Sequence, residues 1–387
     1  MSKPSTSPSG EASRPVNVVF VGAGAVGCFY ASRMHHPSKN IHTSLIARSN
    51  YSAIAAHGVK LQTHSFGDYV FQPASIFPSV PAAVASTIPG SSEVLDRQPN
   101  SAKTEWDFVV VTTKALPDRT DDSALIAPLV GPGTAIVLVQ NGVGVEEQYR
   151  SRFPSNPIVS AVTVISAEQT SPGVVRQNRW TRIHLGPYTD SASSFSSSSE
   201  KKKKNSSAPV DNSELHERGT AKTRQLASIL ALGGVRDALA TDEIGLQTIR
   251  WHKLCINAAF NPSSVLSGGV GNAEMVLDPE LRTHLVGVMR EIWDAAPRIL
   301  GREEPFKGLA DAEKILKSTE RNVGSKPSML LDWEAERPLE VEVILGNPVR
   351  IARARGVELP RMQSLYALLR SMQRVREGGA KEVKGKL

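Results

Sequence analysis

Lys253, Asn257 and Asn261 recur four residues apart in the stretch RWHKLCINAAFNP, Arg250 to Pro262. On an α-helix that spacing stacks them on one face, each about 6 Å from the next. Leu254, Ile256, Ala258 and Phe260 take the other directions, so the polar line is flanked by packed apolar surface, and donors in such a setting need a partner. Hydride delivery to a ketone builds negative charge on the carbonyl oxygen, and a site for it needs a proton donor with fixed donors beside it. A lysine supplies both charge and proton. Partial burial lowers its amine from an unperturbed pKa of about 10.4, which eases proton transfer at neutral pH. Asn257 and Asn261 would then hold a substrate carboxylate or hydroxyl. The plainer reading of the three is a capping Asn and a surface Lys. Pro262 lacks the N–H of the helix ladder, which predicts a kink or an end near Asn261.

A second group lies in SMLLDWEAERPLE, Ser328 to Glu340. Glu340 opens the apolar-periodic run that continues through Leu345, and a carboxylate facing a cleft there could orient the lysine or bond a ribose. The alternative is a carboxylate favoured by the helix dipole alone. Asp332, Glu334 and Glu336 are expected in solvent.

These residues need a scaffold, and the first half of the chain describes one. VNVVFV (Val16 to Val21) reads as a short buried strand, followed by GAGAVG and the helical run CFYASRM, then by the strand IHTSLIA from Ile41 to Ala47. Strand, glycine-rich turn, helix and strand in that order predict a doubly wound parallel sheet. Gly22, Ala23, Gly24, Ala25, Val26 and Gly27 carry the G-x-G-x-x-G spacing. Gly22 permits the tight turn, Gly24 lets backbone approach a pyrophosphate, and Gly27 lets helix and strand pack closely. At the end of the second strand, where NAD-binding folds place Asp or Glu, stand Arg48 and Ser49. A guanidinium there suits a 2′-phosphate, so the expected cofactor is NADPH/NADP+.

Further strands are expected at Asp107–Thr112, Ala135–Val139 and Ile158–Ile165. Lys114 and Gln140-Asn141-Gly142 follow two of them, beyond the carboxyl ends where open α/β sheets bind ligands. Lys114 would pair with a cofactor phosphate or a substrate carboxylate, and Asn141 would bond near a nicotinamide. Each also reads as a turn residue, Asn-Gly being a common turn dipeptide. Pro78 to Ala102 is a Pro/Ser/Ala-rich connection, and Ser191 to Ser207 is a low-complexity Ser/Lys run expected to be disordered. From Ala221 the pattern turns to helical periodicity.

The expected organisation is a disordered tail over 1–14, an NADP-binding Rossmann-type α/β domain with a parallel sheet over 15–190, an insertion over 191–220, an all-α substrate and catalytic domain over 221–375, and a basic tail over 376–387. At 387 residues, two domains are the natural prior. The net charge of +7 resides in Lys201 to Lys204 and in the stretch from Arg374 onward. The folded part is therefore near neutral, which argues against a nucleic-acid partner. No apolar run reaches membrane-spanning length, and the first residues lack the pattern of a leader, so a cytoplasmic location is expected. The two cysteines, Cys28 and Cys255, sit in apolar helical patterns and read as core residues. They exclude a disulfide framework or a Cys-based metal site.

Together these motifs resemble the ketopantoate reductase (2-dehydropantoate 2-reductase) family. The matching pieces are GAGAVG, Lys114 after its strand, Gln140-Asn141-Gly142, K-L-x-x-N-x-x-x-N-P from Lys253 to Pro262, and Ser328-Met329 followed by Glu340, all in the family's order. The resemblance implies an NADPH-binding Rossmann domain followed by a helical domain like that of 6-phosphogluconate dehydrogenase, with the active site between them. It implies Lys253 as general acid, and Asn257, Asn261 and Ser328 as ligands of a small 2-oxo acid. Glu340 would lie against cofactor and substrate, with Asn141 and Lys114 on the cofactor. Asn272 matches another substrate-binding Asn after a one-residue shift. Leu339 departs from the Thr common before the Glu, which bears on the substrate. A homodimer is compatible with this reading. The expected reaction is NADPH-dependent reduction of 2-dehydropantoate to pantoate, in pantothenate and coenzyme A synthesis. The alternatives are reduction of another 2-oxo acid or biosynthetic ketone, or a catalytically silent NADP(H)-binding regulator.

Overall fold

A computed structural model describes residues 14–86, 105–189 and 212–384. The Ser/Lys-rich run, residues 1–13 and residues 385–387 lie outside the described residues, as does much of the Pro/Ser/Ala-rich connection; the stretch expected as a basic tail from 376 continues the last helix as far as Lys384.

The chain begins with β1 (Val16–Val21), α1 (Ala25–Met34), β2 (Ile41–Ile46) and α2 (Tyr51–His57), then β3 (Val59–Thr63), β4 (Gly67–Phe71), β5 (Ile76–Phe77) and α3 (Val80–Ala85). There follow β6 (Phe108–Val111), α4 (Asp122–Ile126), β7 (Ala135–Leu138), α5 (Glu147–Arg152), and the long β8 (Ile158–Ser171) and β9 (Val174–Tyr188). The sheet runs β4-β3-β9-β8-β7-β6-β1-β2-β5, with β10 (Ala238–Ala240) added on β9. Pairing is parallel from β5 to β8 and antiparallel between β8 and β9 and between β3 and β4. The central strands are continuous apolar runs because both sheet faces are covered. Val18, Phe20, Phe108 and Val110 pack toward α1 and α6 (Asn212–Leu232). Val19, Val21, Val109 and Val111 pack toward α3 and α5.

The helical half comprises α7 (Glu243–Leu266), α8 (Asn272–Leu277), α9 (Pro279–Leu300), α10 (Ala312–Thr319) and α11 (Ser328–Glu334). A π-helical turn (Glu342–Gly346), α12 (Asn347–Ala354) and α13 (Pro360–Lys384) complete it. Its own core is built around Trp251, Leu254, Phe260, Ile292 and Leu345. Cys28 and Cys255 are buried and free.

Several expectations change. The boundary expected at residue 221 falls inside α6, and Leu226, Ile229 and Leu230 of that helix belong to the core of the sheet. Its apolar stripe docks on α1 and β9, so the helices of the second core begin with α7. Strand β8 extends to Ser171, well past the run Ile158–Ile165 expected there, and forms a long hairpin with β9. Helix α7 continues through Pro262 to Leu266 instead of ending near Asn261. Ala259, Phe260 and Val265 on either side of the proline are all buried in the helical core, and that packing outweighs one missing ladder bond.

Candidate active site

The glycine loop has the shape its spacing predicts. Gly22 adopts φ 114° and Gly27 sits so close to it that an added Cβ would fall 2.1 Å from the Gly22 carbonyl oxygen. At Gly24 an added Cβ would meet nothing within 4 Å, so the backbone is open where a pyrophosphate would approach. Gly24 precedes α1 with no side-chain cap, leaving the first-turn N–H groups for an anion. Thr112 Oγ1 donates to the Gly22 carbonyl at 2.5 Å. Arg48 is exposed just past the carboxyl end of β2. Next to it the buried Asn50 donates to Ala23 O at 2.6 Å and exchanges two 2.8 Å bonds with the Gln169 amide of β8. The residues present therefore fit a dinucleotide.

Across the carboxyl edge of the sheet, α7 brings up Lys253. Asp242 caps this helix by accepting from Gly245 N. Trp251, only 1% exposed, anchors it in the helical core, and Lys253 reaches the turn that follows β7. Lys253 Nζ donates to Asn141 Oδ1 at 2.9 Å, and Asn141 Nδ2 donates to Glu340 Oε2 at 3.3 Å. Glu340 Oε1 accepts from Ala115 N at 3.1 Å. Glu340 precedes the π-helical turn and is 8% exposed.

Burial first, and then the Arg250 charge, lower the Lys253 amine to a pKa of about 8, while Glu340 opposes the shift. Burial likewise raises Glu340 above the usual carboxylate value. Ala115 N–H, Asn141 and Lys114 act against that rise and Asp332 adds to it. Two ionisable groups are thus displaced toward neutrality around a single amide, a pattern frequent at reaction centres.

The remaining expected residues divide. Asn257, half-buried on the same stripe, has no hydrogen-bond partner among the described residues. Asn261 is buried, and its Oδ1 accepts from Met329 N at 3.2 Å and Ser328 Oγ at 3.4 Å, which joins α7 to α11. Ser328 itself is exposed. Asn272, at the start of α8, donates to Ser325 Oγ at 2.6 Å, so it is tied to the segment leading into Ser328. Lys114 forms an ion pair with Asp332. Asp332, expected in solvent, is buried and also bonds Arg337 Nε at 3.0 Å. Two cations of opposite flanks neutralise it there. Glu334 and Glu336 are exposed as expected.

Sequence reasoning missed Arg250, Glu146, Ser160 and the Asn50–Gln169 pair. A charged residue between Ile249 and Trp251, three positions before Lys253, was the available signal for Arg250.

A dinucleotide-type α/β unit joined to a helical unit, with a lysine, an asparagine and a glutamate meeting at their junction, defines a class of two-domain oxidoreductase. Family comparison gives the narrower assignment. The family described as Ketopantoate reductase PanE/ApbA matches residues 18–190, and Ketopantoate reductase PanE/ApbA C terminal matches residues 245–373. The chain belongs to the ketopantoate reductase family, and with it to the nicotinamide-dependent oxidoreductases. It is 23% identical over 350 residues to a 2-dehydropantoate 2-reductase of Nostoc sp., across 90% of this chain and 93% of that one. It is 27% identical to the Meiotically up-regulated gene 72 protein of Schizosaccharomyces pombe across 93% of this chain, but spans only 57% of that protein's length. Among solved structures, 2-dehydropantoate 2-reductase from Methylococcus capsulatus superposes with a TM-score of 0.70 at 29% identity, covering 92% of this chain and 97% of the other.

Proposed function

We propose that the protein reduces the ketone of 2-dehydropantoate to pantoate with NADPH, as a cytoplasmic enzyme of pantothenate and coenzyme A synthesis. The observation that carries this reading is the chain from Lys253 through Asn141 to Glu340, held at the junction beside the glycine loop. NADPH, when bound, supplies the hydride. Lys253 donates the proton to the carbonyl oxygen, and an amine with a pKa of about 8 is protonated at neutral pH yet gives its proton up more readily than an exposed lysine. Asn141 aims that amine. Glu340 holds Asn141 in place, and the Ala115 N–H holds Glu340. Asn257 supplies a free amide to the 2-oxo acid, with Asn261, Ser328 and Asn272 on the substrate side of the same helix and its neighbours. Arg48 receives the 2′-phosphate, and Gly22 to Gly27 cradle the pyrophosphate, with Lys114 at the rim.

A second reading, reduction of a different branched 2-oxo acid, is favoured by Leu339. It is buried in the helical core directly before Glu340, where a Thr hydroxyl is the commoner choice. The test is NADPH oxidation followed by absorbance, with 2-dehydropantoate beside a panel of 2-oxo acids. Turnover strongest with 2-dehydropantoate is expected. Strongest turnover with another acid would move the assignment to that acid, and NADPH binding without any turnover would leave a silent sensor.

A further inference from the structure

Arg250 lies on α7 three residues before Lys253 and is 3% exposed. Its Nη1 donates to the main-chain oxygens of Gln140 at 3.0 Å and Gly142 at 2.8 Å, the residues on either side of Asn141. Its Nη2 donates to Ser160 Oγ at 2.5 Å and Ala161 O at 3.1 Å, and its Nε lies 3.2 Å from Glu146 Oε1. One planar guanidinium therefore ties α7 to the turn after β7 and to β8, a geometry that lysine cannot copy. The opposite side of the turn is also held. Val143 N donates to Val343 O at 2.9 Å, and Asn347 Nδ2 donates to Val143 O at 2.9 Å. A Cβ on Gly142 would fall 2.3 Å from Val343 O, so the turn has no room to tilt. Pairing this turn to the π-helical segment is consistent with such segments marking functional places.

We propose that Arg250 is a positioning residue for the reaction, fixing Asn141 between Lys253 and Glu340 by gripping the carbonyl on each side of it. The inference rests on Lys253 being the proton donor. The charged groups around the Lys253 amine are Arg250 on its own helix and Glu340 before the π-helical turn. Behind Glu340 stands the Lys114–Asp332 pair, from the loop after β6 and from α11. Arg250 is the cation that adds to burial in lowering the amine. A purely structural arginine would cost stability when changed and leave the chemistry of the folded enzyme alone.

The experiment uses the full chain with Arg250→Lys and, because removing one partner of a buried pair strands the other, the double variant Arg250→Met with Glu146→Gln. Turnover, KM for NADPH and the pH profile of kcat are read well below the lowest melting temperature. Arg250→Lys keeps the charge and loses the fork. It should lower kcat by about 100-fold, the cost of a small misplacement at a reacting centre, with KM for NADPH nearly unchanged and the alkaline limb in place. The double variant should lower kcat as well and move the alkaline limb to higher pH, since the neighbouring positive charge is gone. Parental kcat and an unmoved limb in both variants would overturn the proposal, whatever happens to the melting temperature. A Lys253→Ala control separates the failures. If that variant keeps its kcat, the proton-donor reading itself falls. If it loses kcat while the Arg250 variants keep theirs, only the positioning inference falls.

Discussion

Asn141 links Lys253 to Glu340: its Oδ1 accepts from the amine at 2.9 Å and its Nδ2 donates to the carboxylate at 3.3 Å. The amide orientation follows from its neighbours, because an ammonium only donates and a carboxylate only accepts. Replacing it by Asp removes the donor toward Glu340 and puts a second negative charge beside the amine. Asn141→Asp should therefore lower kcat and raise the pKa of Lys253, moving the alkaline limb of the pH–rate profile upward. An unmoved limb would show that Asn141 does not contact the titrating group.

Removal of the amine should fall on the chemical step. Lys253→Ala is expected to lower kcat by about a hundred- to ten-thousand-fold, the usual contribution of a general acid. NADPH affinity, measured by fluorescence titration, should stay near the parent's. An unchanged kcat rules the assignment out.

The sign of the pH dependence follows from the same group. Reduction needs the protonated amine, so kcat should be level below a pH of about 8 and fall above it. The reverse oxidation needs the free amine as base and should rise over the same interval. A falling limb in both directions would indicate loss of structure instead.

Charge reversal at the end of β2 tests cofactor choice. Arg48→Asp should weaken NADPH on the order of tenfold, about 1.4 kcal/mol, and leave NADH little affected, since a carboxylate accepts from a 2′-hydroxyl and repels a 2′-phosphate. Equal losses for both cofactors would remove Arg48 from the phosphate site.

Close packing makes Gly27 intolerant of a methyl group. In Gly27→Ala the new Cβ would lie 2.1 Å from Gly22 O and 2.6 Å from Thr112 Oγ1. A loss of about 3 kcal/mol in urea unfolding, at the upper end of overpacking effects, should accompany loss of NADPH binding. Parental stability would mean that the loop relaxes.

The parts of this molecule that repeat locally were legible from residues alone. The glycine loop, the apolar strands β1, β6 and β7, the helical second half and the stripe from Lys253 to Asn261 each carry their signal within one or two turns of chain. Longer relationships were not. The outer half of the β8–β9 hairpin includes Glu168, Gln169, Arg176 and Asn178, so its strands do not look apolar. The stripe of α6 announces a buried face without naming the core it joins. Asp332 looks like a solvent carboxylate until folding brings Lys114 to it, and Arg250 reveals its role only when the carbonyls around Asn141 are in place.

Strand β8 spans the distance between two working parts. Ser160 near its start meets Arg250, and Gln169 nine residues on meets Asn50 beside the glycine loop. At about 3.3 Å per residue that is a contour of roughly 30 Å, and register shifts after Ile165 and after Ser166 bend it. Surface loops elsewhere can gain or lose residues at little cost, but this stretch is tied at both ends. Deleting one residue in the regular stretch between 160 and 165 would shorten the strand and turn the side chains that follow, as far as those irregularities, to the opposite face of the sheet. Gln169 would then be withdrawn from Asn50 while Ser160 kept its grip on Arg250. The parallel order β1-β6-β7 sets the spacing of the glycine loop and the Lys253 turn, and β8 adds a side-chain bond to Arg250 at one end and to Asn50 at the other.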